Sequence, residues 1–268
     1  EGERDVLDAV GLPPDTLDHP DTMIAYPDLG RLMLVSAQQS NCDYIGLLIT
    51  QSIRLADLGI AGQLAICGET AGEGLRNFSR FFTLHNSAAT ASLITSSGFS
   101  RLVYAIVEPD MPDTAQLQLG AVTIAFNILQ DLCGPGWQPA VVTVASSTPS
   151  NLRPCQRFFR APLRFDSDES AIVFERHWLD RPQPPVDPAF RAQVDAEVRD
   201  AVVGRDLPVG VEAQRIGLAV AQMGQQLGQA VGEGDVEPRL LVRSRVPAGT
   251  RRLEGALDRR HAVVGGLE

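Results

Sequence analysis

The hydrophobic period of this chain changes near residue 90, from helical to strand-like, and that change restricts the folds open to it. Up to residue 85 the apolar residues recur at helical spacing. Val6, Leu7 and Val10 precede Gly11, a natural helix stop, and Leu29, Leu32, Met33 and Ser36-Ala37 line one face of a helix over 28–40 that Pro27 can open. Residues 44–51 form another apolar run. A turn over 55–59 leads into a helix over 60–67 rich in small residues, which permits close packing. Thr70-Ala71-Gly72-Glu73 has the Ser/Thr-x-x-Glu spacing of a capping box and opens a helix running through Leu75, Phe78 and Phe82 to Leu84-His85. Short turns are expected at Pro13-Pro14-Asp15 and at His19-Pro20-Asp21.

Beyond that point the pattern turns β. Residues 91–95 and 102–107, joined by Ser96-Ser97-Gly98, read as an antiparallel hairpin. A long helix over 114–132 follows, with Leu117, Ala121, Ile124-Ala125 and Ile128 on one stripe and Gly134 as its stop. Residues 140–144 are a β-branched strand, and 150–159 are helical despite Pro154, which fits a first turn. Two short strands, 162–165 and 171–174, flank a polar turn, Asp166 to Ser170. Pro182, Pro184, Pro185 and Pro188 form a stiff boundary before an amphipathic helix over 189–203. The expected class is α+β: N-terminal helices packed on a small antiparallel sheet interrupted by one long helix.

Charge separates the chain into two parts. Residues 1–200 carry 25 acids against 14 arginines, a net of −11, and residues 201–268 carry 8 acids against 9 arginines, a net of +1. Tight non-specific DNA binding requires neutralising several phosphates, so the acidic body is no nucleic-acid module. All 23 basic residues are arginine, which reflects codon composition more than mechanism. No apolar stretch approaches the roughly 20 residues of a membrane-spanning helix. Glu1 opens no signal-peptide pattern, and the missing initiator Met leads us to expect absent upstream residues. Cys42, Cys67, Cys133 and Cys155 are widely spaced, without C-x-x-C, and are expected to be reduced core thiols of a cytoplasmic protein.

No signature of catalysis is visible. His19, His85, His177 and His261 lack metal-ligand spacing, and no nucleophile elbow, P-loop or dinucleotide fingerprint occurs. The glycine-rich stretch 68–74 contains two acids and reads as a helix-to-helix turn, not a phosphate cradle. Asp166, Asp168 and Glu169 lack the rest of a calcium loop and read as a solvated turn. For His85 the ordinary reading is a cationic or capping imidazole at a helix C-terminus. The expectation is therefore no catalytic residue, no metal and no cofactor. Aromatics give the better lead. Phe78, Phe81, Phe82 and Tyr104 meet if the capped helix faces the hairpin, with Arg80 and His85 on the same helix, and Phe78, Arg80, Phe82, His85 and Tyr104 are the candidate ligand-binding set.

Two stretches resemble a known family. The first is Leu55-Ala56-Asp57-Leu58-Gly59-Ile60-Ala61-Gly62, followed by Gly74-Leu75 and Arg80-Phe81-Phe82-Thr83-Leu84-His85. The second and more specific is Phe158-Phe159-Arg160-Ala161-Pro162-Leu163-Arg164-Phe165, then Ala171-Ile172-Val173-Phe174, Leu179-Asp180-Arg181-Pro182 and Asp187-Pro188. Over about residues 4–200 the chain is similar to AraC/XylS-type regulators with an arabinose-binding-like N-terminal half, the ornithine-utilisation-regulator-like subgroup. In the second stretch, alternating Leu163/Phe165 and Ile172/Phe174 send one face into a core, and Arg181-Pro182 is expected to close the sheet.

The resemblance implies a sensor that binds a small-molecule effector, forms a homodimer and signals to a C-terminal pair of helix-turn-helix units. Such a pair needs on the order of 100 residues, and 68 remain after residue 200. Within Glu212 to Gly228, Ile216-Gly217-Leu218, Met223 and Leu227 fall at apolar positions of a first unit. Ala219, Ala221, Gln225 and Gln226 stand where a serine cap and arginine belong. After Gly232 no apolar stripe remains, and disorder is expected there. Residues 1–200 are thus expected to be the effector-sensing and dimerisation domain and 201–268 a degenerate helix-turn-helix remnant, so that DNA is a partner only if a working pair were present. Two alternatives stay open: a stand-alone carrier or enzyme using the same pocket, or a dimerising inhibitor of full-length relatives.

Overall fold

One helix, Ala115–Cys133, runs through the middle of the molecule with almost all of its residues buried. It appears in a computed structural model that describes residues 2–16, 23–203 and 214–215. The described elements, in chain order, begin with α1 (Gly2–Val10), β1 (Met23–Ile24), α2 (Tyr26–Gln39), α3 (Ile45–Thr50), α4 (Gly59–Ile66) and α5 (Ala71–Phe81). They continue with β2 (Ala89–Thr95), β3 (Phe99–Ile106), α6 (Ala115–Cys133), β4 (Val141–Thr143), α7 (Arg153–Phe159), β5 (Leu163–Arg164), β6 (Ser170–Glu175), α8 (Pro188–Val203) and β7 (Gln214–Arg215). Short 3-10 turns follow α3, α5 and β6, at Leu55–Asp57, Phe82–Leu84 and Arg176–Asp180. The architecture is α+β, helices before and around a five-stranded sheet of order β2-β3-β6-β4-β5.

The sheet is mixed, which corrects the expectation of a wholly antiparallel one. β4 pairs β5 in parallel, Val142 opposite Leu163, while β6 runs antiparallel between β3 and β4. The physical reason is the crossover: parallel neighbours need a long connection, and α7 supplies it between β4 and β5. The two strands flanking the polar turn 166–170 therefore do not pair with one another. The hairpin is longer than its periodicity implies, reaching from Ala89↔Ile106 to Thr95↔Ser100 around Ser96-Ser97-Gly98. Arg181-Pro182 does not close the sheet; Pro182 bridges Thr70, and Ala71 N–H donates to the Arg181 carbonyl at 2.9 Å. Short β1 pairs with β7 in a separate two-stranded ribbon.

Local chemistry explains most boundaries. Pro27 sits in the first turn of α2, Gly134 ends α6 at φ +83°, and Thr70 caps α5 by accepting from Glu73 N–H at 3.1 Å. The reciprocal half of the capping box is displaced by one residue, since the Glu73 carboxylate accepts from Glu69 N–H at 2.7 Å. Close helix contacts depend on glycine: a Cβ at Gly46 would stand 2.1 Å from the Gln116 carbonyl oxygen, where α3 crosses α6.

Polar side chains of α6 fasten the segment 43–55 to it. Asn127 Nδ2 donates to the carbonyls of Gln51 (3.1 Å) and Ile53 (2.8 Å). The buried Asp131 carboxylate accepts from Leu55 N–H at 3.0 Å and pairs with Arg54. Its far face carries Phe126, which meets Trp137, Phe158 and Phe159 at ring distances of 5.1–5.5 Å. α8 docks on α4 through Val194 against Leu64 and Cys67. The turn at His19 lies outside the described residues, and so does the stretch 212–228 apart from Gln214–Arg215, which form β7.

Candidate functional site

The stripe Leu117, Ala121, Ile124, Ala125 and Ile128, which marked the apolar face of α6, packs partly in the core. It also forms one wall of a cavity. The other walls are Leu29 and Met33 of α2, Ile49 of α3, Phe78 and Phe82 at the end of α5, and Leu102 and Tyr104 of β3. The cavity offers about 120 Å³ to the centres of water-sized molecules. One water needs roughly 10–15 Å³ by this measure, so the space holds on the order of ten.

Four of the five candidate residues, Phe78, Phe82, His85 and Tyr104, line this space. Phe82 packs on Phe78 at 5.4 Å between ring centroids, on His85 at 6.0 Å and edge-on against Tyr104 at 6.4 Å. Arg80 lies apart. It is exposed, and its guanidinium stacks over Phe81, 5.3 Å from the ring centroid, outside the cavity lining. Helical spacing accounts for the split, because a residue two positions from Phe78 and Phe82 points away from their face.

Sequence reasoning passed over Tyr26 and Asn86. The Tyr26 hydroxyl hydrogen-bonds that of Tyr104, and both phenols interact with the Asn86 side chain. Asn86 Oδ1 accepts from Ala88 N–H at 2.9 Å, which leaves Nδ2 to serve the hydroxyls. Nothing in the local sequence marks Tyr26, since a lone tyrosine at a helix start carries no periodic signal. Asn86 is the more legible of the two, a side-chain amide in the turn just before a strand.

The remaining polar lining groups are occupied structurally. Gln116 accepts from Gly46 N–H at 3.0 Å and donates to the Asp43 carbonyl at 2.9 Å, and Thr50 Oγ1 donates to the Gly46 carbonyl at 2.7 Å. Tyr26, Tyr104, Asn86 and His85 are then the groups available to a guest.

Electrostatics make that polar end neutral. Burial holds the Tyr26 phenol above its ordinary range, the hydrogen bonds from Tyr104 and Asn86 acting the other way. Burial, then the adjacent Tyr26, raises Tyr104 well above its usual value. Burial lowers His85 to about 4, so the imidazole is uncharged near neutrality. This corrects the cationic reading of His85: it does follow a helical turn, but it faces the cavity and not solvent-exposed carbonyls. No Asp, Glu or Arg is among the described residues that line the space. All four cysteines are free thiols, and burial pushes Cys133 and Cys155 up to about 12. Among the described residues no three His, Cys, Asp or Glu groups gather to hold a metal ion, and no helix is long and apolar enough to cross a membrane.

Comparison with known proteins gives this cavity a context. The family model described as the arabinose-binding domain of AraC transcription regulator, N-terminal, matches residues 3–183. The chain is 20% identical over 247 residues to the ornithine utilization regulator of Pseudomonas aeruginosa, across 91% of this chain and 73% of that one. It is 21% identical over 246 residues to the HTH-type transcriptional regulator VirS of Mycobacterium tuberculosis, across 90% and 72%. Alignments of that extent run past residue 200. The fold is similar to the crystal structure of the transcriptional regulator CdpR from Pseudomonas aeruginosa, with a TM-score of 0.53, 16% identity and coverage of 98% of this chain and 78% of that one. The match over residues 3–183 decides the matter: the chain belongs to the AraC family of transcription regulators, by way of their arabinose-binding N-terminal domain.

Proposed function

We propose that the chain is the ligand-sensing part of an AraC-type regulator, a cytoplasmic non-enzyme that dimerises and does not read a promoter sequence by itself. The carrying observation is the cavity between α2, α6 and β3, an apolar chamber with one polar corner, inside the region that matches the family's effector domain. Concave, mostly apolar sites with a few convergent polar groups are where small molecules bind. The chemistry of the corner favours binding over catalysis, because its phenols stay protonated and its imidazole has too low a pKa to act as a base near pH 7.

The DNA half of the reading rests on charge. A net of +1 over residues 201–268, beside −11 over residues 1–200, offers little attraction to a phosphate backbone. Residues 1–200 are assigned to sensing and dimerisation and the rest to a degenerate remnant. Native mass spectrometry of the chain purified from its own host tests the sensor and the dimer together. Retained small molecule in a two-subunit species is expected, and a ligand-free monomer contradicts both. A mobility-shift assay with sequence-specific, competitor-resistant DNA binding would reverse the DNA half.

A further inference from the structure

Every polar group that the cavity can offer a guest is uncharged. Tyr26 and Tyr104 share a hydrogen bond that uses one of their two protons, which leaves one O–H to donate and lone pairs on both oxygens to accept. Asn86 holds the two phenols in place through its side-chain amide, and neutral His85 adds one donor and one acceptor. Tyr26, Tyr104 and Asn86 gather in one corner, His85 lies against Phe82, and Met33, Ile49, Leu58, Ile124 and Ile128 supply apolar lining. A buried carboxylate or ammonium would find no opposite charge among the described lining residues, and an unpaired buried ion is far costlier than a buried hydroxyl or amide. A sugar, with hydroxyls around its whole rim, would leave most of them against carbon.

Resting on the sensor reading, we infer that the cavity takes an uncharged amphiphile, with one alcohol, ketone or amide head against Tyr26, Tyr104, Asn86 and His85 and an apolar body of about eight to ten carbon atoms. The body lies along Leu117, Ala121, Ile124 and Ile128 of α6. Free amino acids, sugars and ionised fatty acids are thereby excluded as high-affinity effectors.

Isothermal titration of the full chain with four matched eight-carbon probes tests this: 1-octanol, octanamide, octanoate at pH 8, and octylammonium. The alcohol and the amide are expected to bind at least tenfold more tightly than either ion. Ala121→Phe, which fills the chamber, is expected to weaken the alcohol at least tenfold, and Tyr104→Phe at least threefold. Circular dichroism verifies that both variants fold, and if either does not, the wild-type ranking still decides. Octanoate or octylammonium binding as well as the alcohol overturns the inference and leaves the sensor reading intact. Failure of all four to bind overturns the inference and the sensor reading of this cavity together.

Discussion

The hydroxyls of Tyr26 and Tyr104, 78 residues apart in sequence, hydrogen-bond one another at the polar corner of the cavity and thereby join the start of α2 to the middle of β3. Removing one hydroxyl takes from the other one of its buried partners, with Asn86 remaining, and such a loss costs about 1 kcal/mol. Tyr26→Phe and Tyr104→Phe are each expected to lower stability by that amount in urea unfolding. Replacing both together is expected to cost clearly less than the sum, because neither position then strands a buried hydroxyl.

His85 makes stability depend on acid. Its folded pKa, about 4, lies below the unfolded value near 6.5, so the unfolded chain binds the extra proton between these limits. Stability contributed by this site is complete above about pH 6.5 and declines as pH falls toward 4, by on the order of 2–3 kcal/mol. His85→Gln should flatten that part of the curve. Denaturant midpoints at pH 4.5, 5.5 and 7 check the point, and an unchanged slope in the variant would refute it.

Asp131 is nearly fully buried, with its side chain 2% exposed, whereas its partner Arg54 is 39% exposed. The carboxylate also satisfies Leu55 N–H. Asp131→Ala leaves the buried Leu55 N–H without its acceptor, while the partly exposed Arg54 turns to water, and it is expected to destabilise by about 2 kcal/mol. Asp131→Asn keeps an acceptor for Leu55 and should cost less. Thermal unfolding of the two variants ranks them directly.

Two glycines make a contrasting pair. Gly46→Ala would press a methyl to 2.1 Å from the Gln116 carbonyl oxygen, so α3 must lift from α6, and a loss above 3 kcal/mol or failure to fold is expected. At Gly98 a Cβ has nothing within 4 Å, and Gly98→Ala should stay within about 0.5 kcal/mol of wild type. Calorimetry of both is sufficient.

The helical and hairpin segments could be located in the sequence because each contains its own local evidence: Pro27 opening α2, Thr70 capping α5, Gly134 stopping α6. Strand order carried no such evidence. β5 joins β4 rather than β6 because α7 carries the chain across, a fact of three-dimensional routing that alternation in Leu163/Phe165 does not record. The candidate site was legible in its aromatic half, since Phe78 and Phe82 share a helical face. Arg80 lies off that face, and Tyr26 reaches the cavity from a different helix altogether. The apolar stripe of α6 was identifiable, but period alone cannot distinguish a face that packs from one that lines empty space.

α5 is held at both ends by different tasks. Near its C-terminus Phe78, with Phe82 just beyond, touches the chamber. Beside its N-terminus residues 69–71 hold the departing chain, through Ala71 N–H to the Arg181 carbonyl and Gln183 N–H to the Glu69 carbonyl at 2.8 Å. Gln183 Nε2 secures the same segment to the Leu132 carbonyl of α6 at 2.6 Å. A guest that touches Phe78 or Phe82 thus contacts the same helix whose N-terminal end binds residues 181–183, the segment that leads into α8.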